Sequence, residues 1–212
     1  MLKINKVIKT LILSDLLILT GFGFISPIFA IFLVLHIHGG SPAVAGFAAG
    51  IFWITQAIVL IPLGKQLDKN HGDLDDFWYI FIGNILASFI ALGYLISTLP
   101  WHIYVLQFIY ALGSAMNIAG YTGIFTRHVD RGQESSAWST RAALVSVGAG
   151  VAGSLGGIIY EYLGFKILFI GVSILSFLSA LILLVILNEM RPKVSKTERI
   201  EEKLGEPFSP KI

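Results

Sequence analysis

The chain has 212 residues, of which 55% are hydrophobic and only 13% charged, with a mean hydropathy of +0.79. Soluble domains are about one-quarter charged, so a globular cytosolic fold is excluded and the chain belongs in a membrane. A formal net charge of +2 is too near balance for a nucleic-acid partner, and the absence of Cys removes disulfide scaffolds, cysteine zinc sites and thiol nucleophiles together.

A helix crosses a bilayer with about 20 mostly apolar residues. Runs of that kind predict six transmembrane helices over 10–35, 42–64, 77–98, 102–125, 137–160 and 165–188, giving an all-α membrane bundle that fills 1–188. Lys3, Lys6 and Lys9 precede the first run, as in a signal peptide. Its apolar stretch is longer than a secretory core, however, and Ile28-Phe29-Ala30 is a poor cleavage site, so a retained helix is expected. After Glu189 the composition turns to Arg191, Lys193, Lys196, Glu198, Arg199, Glu201, Glu202 and Lys203, interrupted by Pro192, Pro207 and Pro210. This reads as a charged cytoplasmic tail over 189–212, with room for a short amphipathic helix at 195–204.

Basic residues set the orientation. Three Lys precede the first span, Lys65 and Lys69 separate the second and third, Arg127, Arg131 and Arg141 surround the start of the fifth, and six follow the sixth. The connections at 36–41 and 98–101 carry none, and that at 161–166 carries only Lys166. The positive-inside rule therefore places both termini in the cytoplasm, for a multi-pass protein of the cell (plasma or inner) membrane.

The fourth span carries a polar stripe. At 100° per residue, Gln107, Tyr110, Ser114, Asn117 and Tyr121 share an arc of about 80°. Hydrocarbon offers them no partners, so they are expected to face a cavity or to hold the bundle together by interhelical hydrogen bonds. On the first span, Asp15 heads a face of Leu19, Phe22, Ser26, Phe29 and Leu33. An intramembrane carboxylate is a candidate for exchanging a proton or pairing with a cationic substrate, and Asp15 is also near enough to the span boundary to reach Lys9. Gln56 and Asn84 read as single structural amides. His36, His38, His71, His102 and His128 lie at helix ends or in loops without metal-ligand spacing, so neither a metal nor another cofactor is expected. Small residues at Ser146, Gly150, Gly153 and Gly157, and at Gly46 and Gly50, mark close-packing faces within the bundle or toward a second copy.

Short motifs at the span ends carry a family resemblance. Gly64-Lys65-Gln66-Leu67-Asp68-Lys69 resembles the G-x-x-x-D-[RK] loop signature of the major facilitator superfamily, although Gly72 arrives one residue late and Asp73, Asp75 and Asp76 stand where the family has bases. Gly21-Phe22-Gly23-Phe24-Ile25-Ser26-Pro27 resembles the G-x-G-x-x-x-P stretch of its drug-efflux branch, and Arg131-Gly132 its loop R-G. In the fifth span, Gly148, Ala152, Gly153, Gly156 and Gly157 take the spacing of the antiporter motif, with Gly153 in place of Pro. The sequence also repeats internally: Gly64-x-x-x-Asp68-x-x-x-Gly72 after the second span is matched by Gly157-x-x-x-Glu161-x-x-Gly164 after the fifth. A 3+3 inverted repeat is the plan of each half of such a transporter.

The resemblance implies an N-terminal six-helix half and a secondary transporter of a small organic solute, in the efflux style, working by alternating access. It would need a second six-helix unit, either another copy of itself in a homodimer or a separate polypeptide supplying the C-terminal half. It further implies that the first and fourth spans line the transport path, so that Asp15, Phe22, Ser26, Gln107, Tyr110, Ser114, Asn117 and Tyr121 would form the substrate and proton pathway. Gly64, Asp68, Lys69 and Arg131 would form the gating loops, and Gly46, Gly50, Gly150, Gly153 and Gly157 a packing or dimer face. The Arg that proton-coupled members carry early in the fourth helix aligns with Gln107. The expected partners are the substrate, the lipid bilayer and the second unit, without nucleic acid. A non-transporting assembly or regulatory partner derived from a half-transporter is the alternative. An intramembrane hydrolase is excluded by the lack of a G-x-S-x-G site and a mid-helix His, so no enzyme is expected.

Overall fold

The computed structural model describes residues 5–70 and 72–191, so His71 and the predicted tail beyond 191 lie outside the described residues. The described chain is helical: α1 (Lys6–Ile25), a 3-10 turn (Ser26–Ile28), α2 (Phe29–His36), α3 (Pro42–Asn70), α4 (Asp73–Ile96), α5 (Pro100–His128), α6 (Glu134–Leu183), a second 3-10 turn (Leu184–Ile186) and α7 (Leu187–Met190). Five helical stretches among the described residues are long and apolar enough to cross a membrane, with α1 and α2 counted together and α6 running on through α7.

Local chemistry explains the ends and breaks. The Asn5 side chain accepts a hydrogen bond from the Ile8 amide at 2.9 Å, capping α1 four residues earlier than the predicted start at 10. Pro27 lacks an N–H, and the helix tightens to 3-10 geometry around it instead of continuing unbroken to 35. α3 runs on past the predicted end at 64, straight through Pro62, to Asn70.

The predicted spans 137–160 and 165–188 fall on the two legs of α6, which meet at Gly164 without an intervening loop. A straight helix spanning all of α6 would be about 75 Å long, more than twice the hydrocarbon thickness. Gly164 interrupts it with φ 72° and ψ 176°, a left-handed backbone that glycine adopts without steric cost. The contacts on α1 show what the interruption does. Asp15 is bonded by Arg141 and its neighbour Ser14 by Ser179, residues that a straight helix would hold about 57 Å apart. Along α1 the packing partners rise from Arg141 through Gly148 to Gly156, and along α1 and α2 they separately fall from Ser179 through Val172 to Phe165. The chain therefore folds back at Gly164, with 134–163 parallel to α1 and 165–183 antiparallel to it.

Close approach depends on glycine, as Gly156 and Gly83 show. A Cβ on Gly156 would run into the Phe24 carbonyl oxygen, and one on Gly83 into the Gly113 carbonyl oxygen, so α1 meets 134–163 and α4 meets α5 backbone to backbone. Two apolar clusters fill the bundle. One joins Phe32, Tyr94, Phe165 and Phe169; the other joins Ile8, Leu11, Phe77, Phe125 and Ile186. Between them runs a buried polar chain: Asn117 donates to Asn84 Oδ1 at 2.6 Å, and Asn84 donates to Ser179 Oγ at 2.8 Å and to Ser14 Oγ at 3.2 Å. Ser88 and Ser173 add a further hydroxyl pair at 3.0 Å.

Candidate functional site

A cavity of about 630 Å³ opens between α1, α3, α5 and the first leg of α6. That is within the usual size range of small-molecule sites. α1 contributes Phe22, and Ser26 follows at its end; α5 contributes Gln107, Tyr110 and Ser114, all placed on one side by the helical period. The Tyr110 ring is stacked between Phe22, 4.5 Å away and tilted by 14°, and Phe52 of α3, 4.9 Å away and tilted by 28°. Trp53 meets the edge of Phe52 at 5.0 Å and is 64% exposed at the cavity mouth.

Gln56 is the functional candidate that sequence reasoning misses. It is not an isolated structural amide: its Nε2 donates to Ser114 Oγ at 2.7 Å across the α3–α5 contact, and the residue lines the cavity wall. Within the apolar run of α3 only Thr55 keeps Gln56 polar company, which gives no periodic signal; its partner is on another helix.

The rest of the predicted stripe separates from the cavity. Asn117 turns to Asn84 in α4. Tyr121 is buried against Phe125 and Trp138, with the Arg141 guanidinium 5.0 Å over its ring. Asp15 is 3% exposed and does not pair with Lys9; Arg141 of α6 holds it, Nη2 at 2.6 Å and Nε at 2.7 Å from Oδ2. Both charged residues sit one turn before cavity-lining positions, Leu19 and Val145. By sequence Arg141 reads only as an orienting charge. The signal that it does more is its place inside an apolar run, in a protein whose first span carries a single acid.

Of the loop residues, Gly64 and Asp68 line a second cavity of about 460 Å³ together with Asp76 and Arg127. Arg131 is exposed in the turn before α6, apart from that cavity. Two of the acids that stand where the resembled motif has bases are held from α5: Arg127 Nε donates to Asp73 Oδ1 at 2.7 Å, Arg127 Nη2 is bonded to Asp76 Oδ2, and His128 Nε2 lies 2.8 Å from Asp73 Oδ2. His128 is thus within hydrogen-bond distance of Asp73, where the sequence suggests a solitary interfacial ring. Ile118 borders both cavities, so the two are neighbours along the α3–α5 seam.

The glycine faces divide. Gly153 packs inside the chain, where a Cβ would touch Pro27 at 3.4 Å. Gly46, Gly50, Gly150 and Gly157 have nothing within 4 Å of such a Cβ. They do not serve intrabundle packing. Beside them α3 and the first leg of α6 expose Phe47, Trp53, Val147 and Val151.

A family model described as Major Facilitator Superfamily matches residues 11–211. No curated protein matches the chain.

Proposed function

Because the chain belongs to the major facilitator superfamily, whose members are membrane transporters, we propose that it moves a small organic solute by alternating access in a unit of two copies. The pathway in this reading is walled by Phe22, Ser26, Gln107, Tyr110 and Ser114, with Gln56 added from α3. Asn117 and Tyr121 hold the bundle around it, and Asp15 lies one turn beyond the cavity. The Gly21–Pro27 stretch favours export of drug-like compounds as the direction.

The pairing of helices supports a six-span half with inverted repeats. Counting the two legs of α6 as separate crossings, the first span packs parallel to the fifth and antiparallel to the sixth. The fourth packs parallel to the second and antiparallel to the third, and the third packs against the sixth. Exchanging the first three spans for the last three returns the same set of pairs, as an in-plane pseudo-two-fold requires. The one-sided Lys and Arg support cytoplasmic termini.

One observation carries the two-copy reading: α3 and 134–163 both line the cavity and both carry glycines that face open space. Family halves are related by an axis along the membrane normal, so a parallel second copy would bring its own α3 and 134–163 onto these faces. Phe52 stacks on Tyr110 and Tyr110 on Phe22, while Phe24 meets Gly156, so Gly50 and Gly157 lie at a similar depth.

The chain lacks Cys, which permits a clean test. With Gly50→Cys and Gly157→Cys introduced together, a short bismaleimide should link two chains in the native membrane. Phe89→Cys on α4 or Phe177→Cys on the second leg of α6, both exposed, should remain monomeric. Linkage of the glycine-face pair to a different polypeptide, or no linkage there, would overturn the two-copy reading.

A further inference from the structure

We infer that the cavity takes an uncharged planar aromatic solute, and that the single Asp of α1 does not make it a site for cations. The inference rests on the two-copy reading above, since a second copy would repeat the same lining and add no charge.

The lining has no Asp, Glu, Lys, Arg or His among the described residues. The charges nearest in sequence, Asp15 and Arg141, lie one turn away and neutralise each other through two contacts of 2.6 and 2.7 Å. An ion entering the cavity would lose hydration without gaining a counter-charge, which strongly disfavours burial of either sign. Neutral polar groups are present instead: the amides of Gln56 and Gln107 and the hydroxyls of Ser26, Tyr110 and Ser114. Amides and hydroxyls can donate to or accept from a hydroxyl, carbonyl or amide on the solute.

Shape follows from the rings. Tyr110 lies between Phe22 and Phe52, inclined to them by 14° and 28°, so this wall is a three-ring stack that a further ring could extend only at the outer faces of Phe22 and Phe52. Such faces favour another flat ring in offset contact over a branched aliphatic body of equal volume.

Three probes of one ring system separate these features: 2-naphthol, which is neutral at pH 7, 2-naphthalenesulfonate, and the 2-naphthyltrimethylammonium ion. Binding to the full chain in lipid particles is measured by equilibrium dialysis against protein-free particles, with the protein mass of each particle determined in parallel. Saturable binding of 2-naphthol at least ten-fold tighter than either ion is expected. Gln107→Glu should raise the affinity for the ammonium probe at least ten-fold relative to the neutral one, and Tyr110→Leu should weaken all three alike. Equal or tighter binding of either ion by the parent chain, or no saturable binding of any probe, would overturn the substrate class. A neutral preference in particles holding one chain and a different polypeptide would overturn the two-copy reading and leave the substrate class standing.

Discussion

Arg141 lays its guanidinium on the carboxylate of Asp15 and joins the first leg of α6 to α1 across 126 positions of sequence, with the faces of Tyr121 and Trp138 5.0 and 5.6 Å from the guanidinium carbon. The acid is buried and the base partly so. A pair of this kind contributes little over an apolar replacement, but breaking it strands a charge.

Arg141→Met should therefore destabilise the bundle by about 3 kcal/mol, the lower end for a broken buried pair because Arg141 is only partly buried. The double variant Asp15→Leu with Arg141→Met should recover most of that loss. Thermal unfolding of the three proteins in the same lipid particles checks this; a double variant no more stable than Arg141→Met would contradict it.

Glycines of α6 should behave differently according to what a Cβ would meet. Gly156→Ala drives a methyl into the Phe24 carbonyl oxygen and should cost about 1–3 kcal/mol, as overpacking does. Gly171→Ala, on the second leg and away from the proposed two-copy face, meets nothing and should be neutral or slightly stabilising through helix propensity. Unfolding temperatures of the two variants, measured side by side, read the contrast.

Helical periodicity makes part of the site legible in the sequence. Gln107, Tyr110 and Ser114 fall on one arc, and all three line one cavity. The arc does not extend to Asn117 and Tyr121 because what a side chain meets changes along the helix: Asn84 of α4 captures the first, and Trp138 and Arg141 enclose the second. Pairings such as Asp15–Arg141 and Gln56–Ser114 are not legible, since periodicity orders residues around one axis and carries no information on which helix lies opposite. Gly164 illustrates the reverse case. The sequence suggests a loop there, and the chain achieves the reversal with a single left-handed residue between two helical legs.

At the C-terminal end of α5, Arg127 bridges Asp73 and Asp76 with two nitrogens of one planar group. Lys offers a point charge in place of that fork, so Arg127→Lys should fail to satisfy both acids. Lower stability is expected for Arg127→Lys than for the parent chain, and lower still for Arg127→Gln. Adding Asp76→Asn to Arg127→Gln should restore part of the loss, because Asp76 is 1% exposed and otherwise keeps an uncompensated charge. Equal stability of parent and Arg127→Lys, read by thermal unfolding in lipid particles, would show that one contact suffices.

The central claim, a transport site completed by a second copy of the same chain, is tested most directly by the protein mass of the complex taken from its native membrane into a lipid particle, with lipid and detergent subtracted. A single species with two copies of the chain and no other polypeptide is expected. One chain per particle, or one chain with a different polypeptide, would contradict it.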